Sequence, residues 1–372
     1  MNMQLEKLLN WLSSSIDPPR QQDIARRYQR ALDYQDIDRP PLVFSFPYPE
    51  SADFQPYPHR EIFDDPEKML YNELVYAFGM SIALNTELGA DLPLTVRANF
   101  GTVLTASMFG ATIEQRDDNP PWVRPDSGNT ISAREVAEKD PTAISNGWIE
   151  RAADTMQKYH ELLAPFPALK EQVIITLPDL QGPLDNLELL CGSETFLALT
   201  TEPDDVDAAL TNLATAQVCL YRYFNQLTTE PENGYCHQHG VMSKGNILIR
   251  NDSAIMVSPQ MYREQISPHD ERVLRECGGG GIHACGRCDH LTDTFLEQPS
   301  LQALDLGQPE LNDVNAIYQQ AAAHKIPLIR LAVSEDELIS GRAFDEFPTG
   351  AVLIHRADSF DRARDLLRRL DV

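Results

Sequence analysis

The sequence predicts an α/β chain, a (β/α)8 TIM barrel preceded by an N-terminal helical extension. Three observations predict it. Eight short, β-rich apolar runs alternate with segments that carry helix signals. Several of those runs are almost continuously apolar, as parallel strands buried on both faces must be. The chemically unusual residues sit where the runs end, the place where barrels carry their reactive groups. A doubly wound open sheet is the runner-up architecture.

Taken in order, Leu5, Leu8, Leu9 and Leu12 have helical spacing, and a polar helix follows over 21–32. Pro40-Pro41 ends this section, so residues 1–39 are expected to pack on the barrel as helices and residues 40–372 to form it. The expected strands are 42–46, 92–100, 173–178, 246–251, 280–285, 301–306, 327–332 and 351–355. The last four recur at about one βα unit each. The longer gap between Phe100 and Val173 holds the turn-rich Asp117-Asp118-Asn119-Pro120-Pro121-Trp122, expected as an excursion over the barrel mouth. Thr201 is placed to cap a helix through about 226, with Val206, Leu210, Leu213, Leu220 and Phe224 on one face and Cys219 as a core residue. Asn312 precedes a helix to about 324. Ser359 is placed to cap the last helix, striped by Phe360, Ala363, Leu366, Leu367 and Leu370, with Arg368 and Arg369 in its final turn.

Composition narrows the function. The 372 residues are 42 % hydrophobic, enough for a sizeable core. Lysine plus arginine is 31 against 56 acidic residues, a formal charge of −25. Such a chain lacks the basic surface needed to grip nucleic acid or an anionic bilayer. No apolar run approaches the roughly 18 residues of a membrane helix. Glu6 and Lys7 interrupt the first apolar stretch and no small-residue cleavage site follows, so the expected location is the cytoplasm. The 6 cysteines are too sparse for a disulfide scaffold.

The candidate site residues lie at strand ends. Asn99 ends the second strand, Asp179 follows the third, Asp252 the fourth and Gln308 the sixth, while His355 ends the eighth. The strongest signal is Gly278-Gly279-Gly280-Gly281-Ile282-His283-Ala284-Cys285-Gly286-Arg287-Cys288-Asp289-His290. Residues two apart in a strand share a face, so His283 and Cys285 point together. Their nitrogen and sulfur suit Zn²⁺. A third ligand must come from elsewhere: His355 first, or a member of Cys236-His237-Gln238-His239, His239 included. The alternative is a polar strand end without metal. Asn251-Asp252-Ser253 reads on its own as a self-capping turn, and Ser258-Pro259 starts a helix carrying Tyr262.

The pattern Asp252-Ser253, Ser258-Pro259, Tyr262 and then Gly-rich His283-Ala284-Cys285-Gly286 resembles the uroporphyrinogen decarboxylase superfamily, from about Arg27 to the C-terminus. It is most similar to the branch of zinc-dependent, corrinoid-linked methyltransferases, of the methylcobalamin:coenzyme M methyltransferase kind. The resemblance implies a (β/α)8 barrel and a metal held by His283 and Cys285 with a third ligand near the eighth strand, where this chain offers His355. It also implies catalytic roles for Asp252 and Asp179, substrate contacts from Asn99, Tyr262 and Gln308, and a corrinoid (cobalamin) or corrinoid protein as methyl carrier. True decarboxylases carry Arg-Gln-Ala-Gly-Arg after the first strand, whereas residues 44–50 here read Phe-Ser-Phe-Pro-Tyr-Pro-Glu. An octacarboxylate substrate suits such a mouth poorly. The expected function is therefore zinc-dependent methyl transfer from a corrinoid or small methylated donor to a thiol. A tetrapyrrole carboxy-lyase is the second reading and a non-catalytic corrinoid-binding partner the third.

Overall fold

The computed structural model describes residues 1–124, 130–144 and 147–370. Eight strands form the staves of a parallel barrel: β1 (Leu42–Ser45), β2 (Thr95–Val96), β3 (Ile174–Ile175), β4 (Ile247–Arg250), β5 (Gly280–Ala284), β6 (Leu301–Leu306), β7 (Leu328–Ala332) and β8 (Ala351–Arg356). They coincide with the eight expected runs. Six make one continuous parallel sheet in the order β1-β8-β7-β6-β5-β4, and β2 and β3 form a separate parallel pair. Pro93 and Pro178 lack N–H groups near the ends of those two runs, which helps to explain why the regular ladder there is short.

The ring is joined on either side of that pair by other means. A single parallel bridge, Gln181 to Arg250, links the end of β3 to β4. On the β1 side the fully buried Asp91 does the joining. Its N–H donates to the Leu42 carbonyl at 2.9 Å, and its carboxylate accepts from the Leu42 N–H at 3.0 Å. The same carboxylate accepts from Arg39 at 2.5 Å and Arg20 at 3.0 Å, with Arg27 at 3.5 Å.

Two helices precede the barrel, α1 (Met3–Ser15) and α2 (Pro18–Leu32). Leu5, Leu8, Leu9 and Leu12 of α1 are buried, as their spacing requires. Ile24, Tyr28 and Leu32 of α2 cap the lower mouth against the inward-facing Val43, Leu248, Ala303, Ile329 and Val352. Val241 and Met242 fill the same space. They belong to an antiparallel hairpin, Tyr235–Gln238 with Val241–Lys244, that plugs the lumen and was not expected from sequence. Its tip, His239-Gly240, has φ of 51° and 78°, the left-handed pair a tight two-residue hairpin turn demands. The outward faces of the staves pack on the surrounding helices as the main core.

Most helix expectations hold in place but not always in capping. Thr201 ends one helix (Glu194–Thr201), and the next (Pro203–Asn225) starts after Glu202 with proline in its first turn. Asp313 rather than Asn312 caps Val314–Ala323. Ser359 accepts from the Arg362 N–H, as a cap should. The 117–122 segment leads into Trp122–Val123, which pairs antiparallel with Ile113–Glu114. No helix among the described residues is long and apolar enough to cross a membrane.

Candidate metal centre

Strand alternation sends Arg250, His283 and Asp305 into the upper lumen, one position pair above the apolar layer of Leu248, Gly281 and Ala303. Asp305 and His283 are register partners on neighbouring staves. Arg330 joins them by a different route. Its φ is 59° and the β7–β8 register slips between Leu328 and Leu331, so a bulge turns Arg330 inward beside Ile329. A left-handed arginine is strained, and the strain holds a guanidinium where regular alternation would not.

These side chains form one ionic chain across the lumen. Asp179 accepts from Arg97 at 2.6 Å and Arg250 at 2.5 Å. Burial alone would raise the Asp179 pKa, but Arg250 and Arg97 outweigh it and hold it at about 2. Arg250 donates to Nε2 of His239 at 2.6 Å. Since arginine only donates, Nε2 accepts, and Nδ1–H of His239 must donate to Asp305 Oδ2 at 2.8 Å. Burial lowers the His239 pKa to about 4. The fully buried Asp305 also accepts from Nδ1 of His283 at 2.8 Å and from Arg330 Nη2 at 2.6 Å. Arg330 and His283 overcome its burial and keep it well below the usual carboxylate range.

With Nδ1 of His283 donating to Asp305, its Nε2 lone pair faces outward. It meets Sγ of Cys285 at 3.3 Å and Oδ1 of Asp252 at 3.4 Å. The three donor atoms lie within 4.8 Å of one another. Zinc bonds of about 2.0–2.3 Å in a tetrahedron put neighbouring ligand atoms roughly 3.3–3.6 Å apart. The two separations from Nε2 have that length, and the Asp305–His283 pair is the carboxylate–histidine arrangement that orients a metal-bound imidazole. The residues therefore fit Zn²⁺, with Asp252, His283 and Cys285 as ligands. Burial and Asp252 push the Cys285 thiol up to about 12.

Asp252 is fixed in place by its neighbours. Its Oδ1 accepts from the Cys285 N–H at 2.8 Å, so its side chain does not cap its own turn. That turn is seated by buried Asp185, which accepts from the N–H groups of Asp252 and Ser253 at 2.9 and 2.8 Å. Gln308 accepts from the Gly286 N–H at 2.9 Å and pins the loop after Cys285. The Asp252 side chain is 41 % exposed, which leaves the cluster open to solvent.

Five expectations need correction. His355 is not beside the cluster. Val352 and Ile354 take the inward positions of β8, and His355 packs against Phe44 while its Nδ1–H donates to the Val333 carbonyl at 2.9 Å. His239 lies in the lumen, but Arg250 and Asp305 occupy both its ring nitrogens and leave no lone pair for a metal. Tyr262 is fully buried, with its hydroxyl donating to Asp270 at 2.5 Å, and offers no surface to a substrate. Asp179 serves the ion network and is not in contact with the donor cluster. Asn99 donates to Glu73 at 3.1 Å on the wall of a cavity of about 660 Å³. That cavity reaches Arg97, His239 and Arg330, and neither Cys285 nor Asp252 lines it.

Sequence reasoning missed Asp305, Arg330, Arg250 and Arg97, and with them a set of lumen arginines. Arg97 and Arg250 share Asp179, and Arg330 faces Asp305. A single charged residue within an apolar strand, as in Leu301-Gln302-Ala303-Leu304-Asp305-Leu306, was the available signal.

No family model and no curated protein matches the chain. Among solved structures it is similar to a methyltransferase from Methanosarcina mazei. The TM-score is 0.61 over 94 % of this chain and 98 % of that one, at 14 % identity, a likeness of fold.

Proposed function

We propose that the protein is a zinc-dependent methyltransferase of the uroporphyrinogen decarboxylase superfamily, which moves a methyl group from a corrinoid or small methylated donor to a thiol. The observation that carries this reading is the Asp252–His283–Cys285 donor set, with His283 held in one tautomer by Asp305. The fold it shares with the archaeal methyltransferase is in keeping with it. Bound Zn²⁺ would acidify a coordinated thiol and so supply a thiolate nucleophile at neutral pH.

The chain's own residues do the rest. Asp305 keeps the proton of His283 on Nδ1, and Arg330 keeps Asp305 from taking it. Cys285, once deprotonated, and Asp252 would bring two negative charges to a bound cation. The exposed side of Asp252 leaves room for an acceptor and for a carrier at the mouth, so that donor and acceptor meet in line. Asp185 and Gln308 hold the two loops that present the ligands.

The test is metal analysis with a methyl-transfer assay, using methylcobalamin and a panel of small thiols. The purified protein is expected to carry stoichiometric zinc. Cys285→Ser should lose both zinc and transfer while its circular dichroism stays unchanged. Full transfer by a zinc-free Cys285→Ser protein would overturn the metal mechanism. Turnover of uroporphyrinogen by the same preparation would favour the lyase.

A further inference from the structure

The lumen hairpin carries a further buried histidine–carboxylate pair, His237 with Glu230, which the metal centre does not use. We infer that His237 anchors a small neutral molecule in the cavity of about 660 Å³, a hydroxyl compound on a flat apolar ring, by accepting its O–H at Nε2. This inference does not rest on the zinc reading.

His237 is held from one side. Its backbone N–H donates to Oε1 of Glu230 at 2.8 Å, and its Nδ1 lies 2.8 Å from Oε2 of the same carboxylate. A carboxylate accepts, so Nδ1 carries the proton and donates. Glu230 is fixed in turn through its neighbour Thr229. The Thr229 N–H donates to the Ile175 carbonyl of β3 at 2.9 Å, and its hydroxyl oxygen accepts from the Ile175 N–H at 2.8 Å. In the neutral ring Nε2 then offers a lone pair, which has no hydrogen-bond partner among the described residues. His237 lines the cavity and Glu230 does not, so the ring stands between the carboxylate and the open space. The residue is only 3 % exposed, and a buried acceptor is costly until a donor reaches it.

The charges nearby select a neutral donor. Arg97 and Arg250 share Asp179, Arg97 also acts on Glu73, and Arg330 faces Asp305. These three guanidiniums and three carboxylates balance, so the ion network offers an entering ion no spare charge of either sign. A neutral molecule also gives up less hydration on burial. Apolar side chains complete the wall, Leu92 and Ile354 among them, together with Phe46 and Tyr76. The Tyr76 ring stands edge to face with that of Tyr48 at 6.0 Å, an arrangement that a further flat ring can extend. The volume is that of small-molecule sites.

The probes are 4-methylphenol, its ether 4-methylanisole, and the ions 4-methylbenzoate and 4-methylbenzylammonium, titrated into the full-length protein by NMR. The phenol is expected to bind at least tenfold more tightly than each of the others. Long-range proton–nitrogen spectra should show His237 as the neutral Nδ1–H tautomer, with an Nε2 signal that moves when the phenol is added. His237→Phe keeps the bulk of the ring and should bring phenol and ether within twofold of each other. Glu230→Gln should do so by another route. Its oxygen stays with the His237 N–H, its amide N–H₂ faces Nδ1, and the ring proton is driven to Nε2. Failure of the phenol to bind, equal binding of phenol and ether, tighter binding of either ion, or a phenol preference that survives in either folded variant would each overturn the inference.

Discussion

At Asp252 one oxygen serves both the Cys285 N–H and the approach to His283 Nε2, so charge and shape separate there. Asp252→Asn keeps an acceptor for the N–H but removes the anionic ligand proposed for zinc. Zinc affinity should fall by about 10–100-fold in a competition with a chromogenic chelator, with the melting temperature nearly unchanged. His355→Ala should behave in the opposite way. It loses the Val333 contact and packing on Phe44, which costs about 1–3 kcal/mol in denaturant unfolding, and retains zinc. Loss of zinc from His355→Ala would return that histidine to the metal. Asp270 carries a different test. Burial raises its pKa to about 7 in the folded chain, despite bonds from Tyr262 and Asn251, against roughly 4 unfolded. Between those values the native state holds the proton more tightly, so stability is greatest at low pH and falls as pH rises through the window. The slope from this group is about 1.4 kcal/mol per pH unit, and Asp270→Asn should flatten it in chemical unfolding between pH 5 and 7.

Elements explain why some of these residues were legible and others were not. Period-two alternation in a Gly-rich strand was enough to aim His283 and Cys285 together. The same rule failed for His355 because Ala351-Val352-Leu353-Ile354 is apolar on both faces, and a strand buried on both sides gives no parity. Arg330 was out of reach for another reason. Its direction comes from a bulge, and nothing in Leu328-Ile329-Arg330-Leu331 announces a positive φ. The hairpin was hidden by its position: its apolar residues face the lumen, and the segment drew notice for its histidines instead. The bulge has a measurable weight. Arg330→Ala leaves Asp305 buried with its main counter-charge gone, and unfolding should become easier by about 3–5 kcal/mol. A change under about 1 kcal/mol would mean that His283 and His239 suffice to hold Asp305.

For the whole molecule, the barrel was legible because eight apolar runs with intervening helices admit few arrangements. The irregular seam around β2 and β3 was not, since it depends on a buried aspartate and three arginines, Arg20 and Arg27 of α2 and Arg39 just before β1. Asp91→Ala strands those arginines, and a loss of several kcal/mol is expected in equilibrium unfolding. The seam also bears on the order in which the chain assembles. β1 has its regular ladder with β8, through pairs such as Leu42 with Leu353, on the order of 300 residues further along. On the other side it has no ladder, only Asp91. A nascent chain that has already made β1 therefore carries an open strand edge until its last stave leaves the ribosome, roughly 15–60 s later at ordinary synthesis rates. During that interval Asp91 can engage only the opposite edge of β1, so the edge that β8 will fill stays free to pair with another chain.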